Sequence, residues 1–403
     1  MARLKKVFSA GRREESTRSD CYVEIDVKPR GGVSVFLESK VSSLYGSSIS
    51  VLAKEVCAAI GLQHADLRII DQGALPYVLA ARIEAAVKRA LPSTIGEYLT
   101  GTVTRKKLLQ GKDRPRRTRL YLPGNEPKFF VNAGLHRPDV IILDLEDSVA
   151  LGEKDAARLL VRNALRSVDF FDAERSVRIN QGRPGLEDLR TVVSGKPDLI
   201  LIPKCEDAET ITVVANELRS LERQHHVGRE ILLLPIIESA LGVVNAYAIA
   251  SSSVRVCGLA IGLEDYTADI GVERTAEGRE SLFARMSVVN AAKAAGVQAL
   301  DSVYADVDDS NGLRQSTLEA RSLGFEGKGC IHPRQVGVIH TAFAPTKMEI
   351  ERARQIVRVA EDARKNGSGV IALGSKMVDA PVVLRAERVL RLAERFGEEG
   401  GVS

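Results

Sequence analysis

The sequence predicts an α/β protein: a (β/α)8 barrel with a C-terminal helical extension, preceded by a small α+β domain. Three observations carry this reading. Between Arg119 and Ile331, eight short apolar runs alternate with segments of helical periodicity. Near-continuous apolar runs mark parallel strands buried on both faces, and eight strand–helix units in about 230 residues fit a closed barrel. The first hundred residues follow a different pattern. The expected boundaries are 1–100 for the small domain, 101–116 for a basic linker, 117–345 for the barrel and 346–403 for the extension. A doubly wound open sheet is the alternative. No G-x-G-x-x-G follows the first run, which argues against a dinucleotide fold.

In the small domain, Cys21–Val27 and Gly32–Leu37 alternate like strands. Ser48–Leu62 has apolar residues at helical spacing, and Leu67–Ile70 reads as another strand. Asp71-Gln-Gly73 signals a turn. Pro76 then opens a helix through Leu91, with Leu79, Ile83, Val87 and Leu91 on one face. The barrel runs follow: Leu120–Leu122, Val140–Leu145, Val177–Ile179, Leu199–Pro203, Ile231–Ile237, Val256–Leu263, Ala299–Tyr304 and Gly329–Ile331. The extension reads as two helices, Lys347–Asn366 and Ala380–Phe396, around a Gly-rich segment ending in Asp379-Ala-Pro381. A barrel is complete without it, so the extension is expected to cover a barrel mouth or a neighbouring subunit.

Composition narrows the function classes. The net charge of +4 is small for 403 residues, and eight of the fifteen positions from Arg105 to Arg119 are Lys or Arg. That cluster lacks aromatic residues for base stacking, so it reads as a solvated linker and not as a nucleic-acid surface. Five widely spaced cysteines form no C-x-x-C pair. Neither a disulfide framework nor a zinc site is indicated, and reduced thiols in the cytoplasm are expected. No apolar run approaches the roughly 20 residues of a membrane span.

The strand ends carry the chemistry. Glu238 closes the fifth run, and Glu264 and Asp265 close the sixth. Carboxyl ends of barrel strands gather at one mouth. Two carboxylates there point to a divalent cation with hard oxygen ligands, and magnesium suits a site without a histidine or thiolate cage. The competing reading is solvated loop charges. Arg178 at the third strand end adds a cation able to bind a carboxylate bidentately. Asp144, Glu146 and Asp147 follow the second strand and Lys204 the fourth. Lys204 stands as a Schiff-base candidate or as the ion-pair partner of a neighbouring acid. A metal and an arginine at one mouth suit reversible carbon–carbon cleavage.

These residues sit in motifs that resemble a known family. Arg119-Leu-Tyr-Leu-Pro-Gly-Asn125, Asp144-Leu-Glu-Asp-Ser-Val149, Val177-Arg-Ile-Asn180, Ile237-Glu-Ser-Ala-Leu-Gly242, Ile331-His-Pro-Arg-Gln335 and Gly374-Ser-Lys-Met-Val-Asp-Ala-Pro381 resemble the citrate lyase β-subunit and citramalyl-CoA/malyl-CoA lyase family, within the HpcH/HpaI aldolases. The resemblance implies a magnesium-dependent barrel, oligomeric as a trimer or a multiple of one. It implies Glu238 and Asp265 as magnesium ligands, with Glu238 also meeting substrate. Arg178 would bind substrate and stabilise a thioester enolate. Asp379 would reach a neighbouring subunit's site as acid/base. Tyr121 and Lys128 would contact the substrate or its thioester carrier. Asp144, Glu146 and Asp147 would hold metal-bound water.

Asp71–Ala86 is similar to the citrate lyase γ-subunit, an acyl carrier bearing a phosphoribosyl-dephospho-CoA group on a serine within a Glu-Ser-x-Asp segment. Here the segment is Glu14-Glu-Ser-Thr-Arg-Ser-Asp20. Ser16 follows a glutamate and Ser19 precedes the aspartate, and neither does both; Ser16 is preferred. The resemblance implies cleavage of a citryl or related hydroxyacyl thioester to a 2-oxo acid and an acetyl thioester. A separate citrate lyase α-type transferase would be a partner. The other expectation is a citramalyl-CoA or malyl-CoA lyase or synthase with a vestigial carrier domain.

Overall fold

In a computed structural model, residues 7–14, 16–103, 111–365, 371–373 and 376–396 are described. Eight parallel strands close into a barrel: β5 (Thr118–Pro123), β6 (Val140–Asp144), β7 (Glu174–Arg178), β8 (Leu199–Ile202), β9 (Leu232–Ile237), β10 (Gly258–Ile261), β11 (Gln298–Val303) and β12 (Gly327–Cys330). Each strand pairs in parallel with its sequence neighbours, and β12 pairs with β5. An open sheet is thereby excluded. The interior is apolar, with Val140, Ile142, Leu199, Leu201, Leu234 and Ile236 packed together.

Helices surround the barrel: α3 (Lys154–Ser167), α4 (Gly182–Val192), α5 (Ala208–Gln224), α6 (Ala240–Ser251), α7 (Leu263–Asp269), α8 (Arg279–Ala294), α9 (Ser310–Leu323) and α10 (Arg334–Phe343). Between β5 and β6 the connection is two 3-10 turns, Pro127–Phe129 and Ala133–His136. The sixth strand is shorter than its apolar run. Helix α7 begins at Leu263, so Asp265 stands in a first helical turn and not at a strand end.

The first unit is a four-stranded sheet in the order β1 (Phe8–Gly11), β2 (Cys21–Val27), β4 (Ala65–Asp71), β3 (Val33–Ser39). It is covered by α1 (Ser42–Ile60) and α2 (Pro76–Ala90). Every residue of α2 from Tyr77 to Val87 is buried, because α2 lies against its own sheet and against α3. Its charged residues are paired there. Arg82 holds Asp20 through two bonds of 2.8 and 2.9 Å and donates to the Asn125 carbonyl at 3.2 Å. Glu84 holds Arg162 of α3 at 2.6 and 3.1 Å. The unit is thus docked on the barrel.

The segment that follows departs in part from the expectation of a solvated linker. The Val103 amide donates to the Arg166 carbonyl, and the Ser167 hydroxyl to Thr100. Arg116 is buried and forks onto Glu174 at 2.7 and 2.8 Å, and Arg117 forks onto Asp139. Paired arginines at the amino end of the barrel do not form an exposed basic surface. Residues 104–110 of the cluster lie outside the described residues.

The extension is a hairpin of α11 (Lys347–Lys365) and α12 (Ala380–Phe396), with β13 (Ile371–Leu373) and β14 (Lys376–Val378) between them. Ile356, Ala360, Val378, Val383 and Ala386 form its own apolar cluster. Among the described residues, no helix is long and apolar enough to cross a membrane, and all five cysteines are buried thiols.

Candidate active site at the carboxyl end of the barrel

A cavity of 470 Å³ opens at the carboxyl ends of the strands. Arg119, Tyr121, Asp144, Asp147, Arg178, Glu238, Asp265 and Ser302 all line it. Strand alternation puts Arg119 and Tyr121 on one row of β5, facing the interior. Arg178 and Asp144 are the last residues of adjacent strands and are register partners.

Arg178 is tightly held. Its Nε and Nη2 donate to the two Asp144 oxygens, each at 2.7 Å, and its Nη1 stands 2.7 Å from Glu146. The Tyr121 ring lies 5.4 Å from the guanidinium carbon. Burial pushes the Asp144 carboxyl up, but the bonds and charge of Arg178 outweigh it and hold the carboxyl below its usual range. Burial likewise opposes the Arg178 charge, and Asp144, Tyr121 and Glu146 more than offset it.

Glu238 is buried, and its Oε1 accepts the Lys204 amide at 2.9 Å. A Cβ at Gly262 would stand 2.5 Å from Glu238 Oε2, so glycine is what lets the chain between β10 and α7 pass this carboxylate. Burial, together with the nearby carboxylates of Asp265 and Glu146, pushes Glu238 up to about 8, although the Lys204 amide works in the other direction. A buried acid whose proton affinity is raised by neighbouring carboxylates suits a site completed by a cation. Among the described residues, no group of three or more His, Cys, Asp or Glu side chains is arranged to hold a metal. Glu238 and Asp265 present two hard oxygen donors to one cavity, a donor type that suits magnesium.

Lys204 resolves as an ion-pair partner. Its Nζ stands 3.1 Å from Glu146, 3.6 Å from Asp147 and 4.0 Å from Asp265. Burial pulls its affinity for a proton down, but these acids raise it to about 12. A lysine so firmly protonated is no ready nucleophile. Glu264 turns instead to Arg274, which separates it from Asp265.

Other expected residues lie elsewhere. Lys128 is exposed, paired with Glu126 at 3.2 Å, and does not line the cavity. Asp379 is exposed and caps α12, accepting the Val382 amide at 3.2 Å; it does not line its own chain's cavity. Gly374 and Ser375 of its motif, and Glu15 beside Ser16, lie outside the described residues. Ser16 is exposed, and Ser19 has a left-handed backbone with φ 56°. Both sit in a segment tied at each end to the loop after β5, through Arg12 to Glu126 and through Asp20 and Arg82 to Asn125. Arg119 and Ser302 are cavity residues that strand-end reading passes over; their signal is a polar residue on the inward row of an apolar strand.

A family model described as HpcH/HpaI aldolase/citrate lyase matches residues 117–333. The chain belongs to the HpcH/HpaI aldolase/citrate lyase family. It is a carbon–carbon lyase of this family. A family model described as malonate decarboxylase delta subunit (MdcD), an acyl-carrier type, matches residues 14–90. The citrate lyase subunit beta of Escherichia coli K12 is 42% identical over 295 residues, 72% of this chain and 97% of that protein. Human mitochondrial citramalyl-CoA lyase is 32% identical over 298 residues, 71% of this chain and 87% of that protein. The crystal structure of CitE from Mycobacterium tuberculosis in complex with magnesium, acetoacetate and coenzyme A superposes with a TM-score of 0.58. It is 31% identical and covers 70% of this chain and 100% of that one. In this lyase family member the barrel and the carrier-type unit are one polypeptide.

Proposed function

We propose that the chain is a magnesium-dependent lyase that cleaves a citryl or closely related 3-hydroxy-3-carboxyacyl thioester. The products are a 2-oxo acid such as oxaloacetate and an acetyl thioester. The observation that carries this reading is that Glu238, Asp265, Arg178 and Tyr121 line one cavity. The magnesium, acetoacetate and coenzyme A complex of the relative supports the metal and the thioester.

Glu238 and Asp265 would hold the metal. Magnesium, when bound, supplies a Lewis acid for the oxygens of the oxo-acid half. Two of the five Arg178 N–H donors bond Asp144, and its Nη1 forms an ion pair with Glu146. The remaining N–H groups stabilise negative charge that develops on the thioester oxygen as the carbon–carbon bond breaks. Glu146 and Asp147 would order water beside the Glu238–Asp265 pair, and the Tyr121 ring packs against the arginine. Asp379, exposed and not among the residues lining its own cavity, serves a neighbouring copy as acid/base, which makes a trimer or a multiple of one the working unit.

The N-terminal unit is the acyl carrier, with a phosphoribosyl-dephospho-CoA group on Ser16 or Ser19 loaded by a separate α-type transferase. Both serines lie in the segment anchored beside Asn125 and Glu126, directly past the strand end that bears Tyr121. A second reading, cleavage of free CoA thioesters over a vestigial carrier, is favoured by the extra residues in Glu14–Asp20 and by the buried docking of α2. Intact-mass spectrometry and a thioester cleavage assay with and without magnesium decide between them. A prosthetic-group adduct with carrier-dependent cleavage supports the first. An unmodified chain that cleaves free CoA thioesters supports the second. Absence of magnesium-dependent cleavage on every such thioester overturns both.

A further inference from the structure

Arg119 is the unexplained charge of this cavity. It is 1% exposed, yet it lines the cavity that Glu238 and Asp265 face. Its Nη2 donates to the Asp301 carbonyl, while Nε and Nη1 have no hydrogen-bond partner among the described residues. Asp301 cannot complete the pair, because its carboxylate is committed to Lys328 at 2.7 Å and Arg285 at 3.2 Å. Its register partner on β12 is Gly329, which brings no side chain to pair with it. A buried guanidinium without an anion is costly, by several kcal/mol. Such groups persist where a ligand completes them.

The charge balance of the cavity says which ligand. Around Arg178, the cations Arg178 and Lys204 face Asp144, Glu146 and Asp147, a net negative group. The charge of Arg178 is already matched there by acids of its own chain. Arg119 has donors without partners, and it sits two residues deeper than Tyr121 on the inward row of β5.

We propose that Arg119 is a specificity-determining residue that binds the distal carboxylate of a 2-oxo dicarboxylate. The inference rests on the lyase reading and deepens it. A thioester that releases a 2-oxo dicarboxylate brings that group to Arg119. One that releases a 2-oxo monocarboxylate places a methyl or hydrogen against it and leaves the charge unpaired. Sites built to bond a polar group reject analogues lacking it.

The test uses the full-length chain with magnesium. Titration calorimetry compares malate with lactate, stable 2-hydroxy acids that differ by the second carboxylate. The wild type binds malate more tightly, by roughly 10- to 100-fold, and Arg119→Met brings this ratio near one. Arg119→Lys restores part of it. In steady-state assays the ratio of kcat/KM for citryl-CoA over citramalyl-CoA falls by a similar factor in Arg119→Met. Equal affinity of the wild type for malate and lactate overturns the proposal, and needs no variant to fold. An unchanged ratio in a folded Arg119→Met also overturns it. If neither thioester is cleaved, the lyase reading fails, while the malate-to-lactate ratio still decides the role of Arg119.

Discussion

Arg178 and Asp144 are register partners at the ends of adjacent strands, joined by two hydrogen bonds of 2.7 Å each. Because both are largely buried, the pair is a structural element of the mouth as much as a chemical one. Removing Asp144 leaves a buried cation short of its anion, which costs about 3–5 kcal/mol. Asp144→Asn should lower the urea midpoint at pH 7. The folded chain holds the Asp144 carboxyl below its usual range. Its contribution is therefore complete above about pH 4, the ordinary value of an unfolded aspartate, and drains as pH falls through the lower folded value. The gap between wild type and Asp144→Asn should shrink below pH 4. A gap that stays constant with pH contradicts the assignment.

The carboxylate pair gives a second expectation. Glu238→Gln and Asp265→Asn should each reduce magnesium affinity and abolish magnesium-dependent cleavage. Gly262→Ala should do the same without touching a charge, since its Cβ would overlap the place of Glu238 Oε2. Magnesium titration by calorimetry reads all three. Full activity in a chelator would sink the metal assignment.

The docking of the first unit is testable through Arg162 and Glu84, both fully buried. Arg162→Met alone should destabilise the chain by about 3–5 kcal/mol, whereas Arg162→Met with Glu84→Leu should recover most of the loss. Denaturant curves with limited proteolysis of residues 7–103 report it. Equal effects of the single and double changes would show that the pair contributes no coupling.

Asp379→Ala should remove turnover and leave magnesium binding largely intact. If the residue serves a neighbour, mixing Asp379→Ala with Arg178→Met chains should restore activity that neither has alone. Retained turnover in Asp379→Ala, or loss of its metal binding, contradicts the role.

Much of this was legible from residue pattern. Eight buried strands are legible because parallel strands carry unbroken apolar runs, such as Leu199–Ile202. The short edge strand Phe8–Gly11 carries no such run and went unseen. Arg116 was misread because a run of cations looks solvated, while its partner Glu174 lies 58 residues away. Asp265 was placed by its neighbours, not by the strand: the apolar run continues into α7, and only the fold tells Leu263 in the helix from Ile261 in the strand. Arg119 stood at the margin of a run, where inward and outward rows cannot be told apart without a register.

The paired charges between α2 and α3 also bear on stoichiometry. Two units in one chain cannot be diluted apart, and a buried interface leaves little room for a carrier from another molecule to dock in their place. Each barrel is thereby matched with one carrier-type unit, so occupancy is counted per polypeptide and is independent of protein concentration.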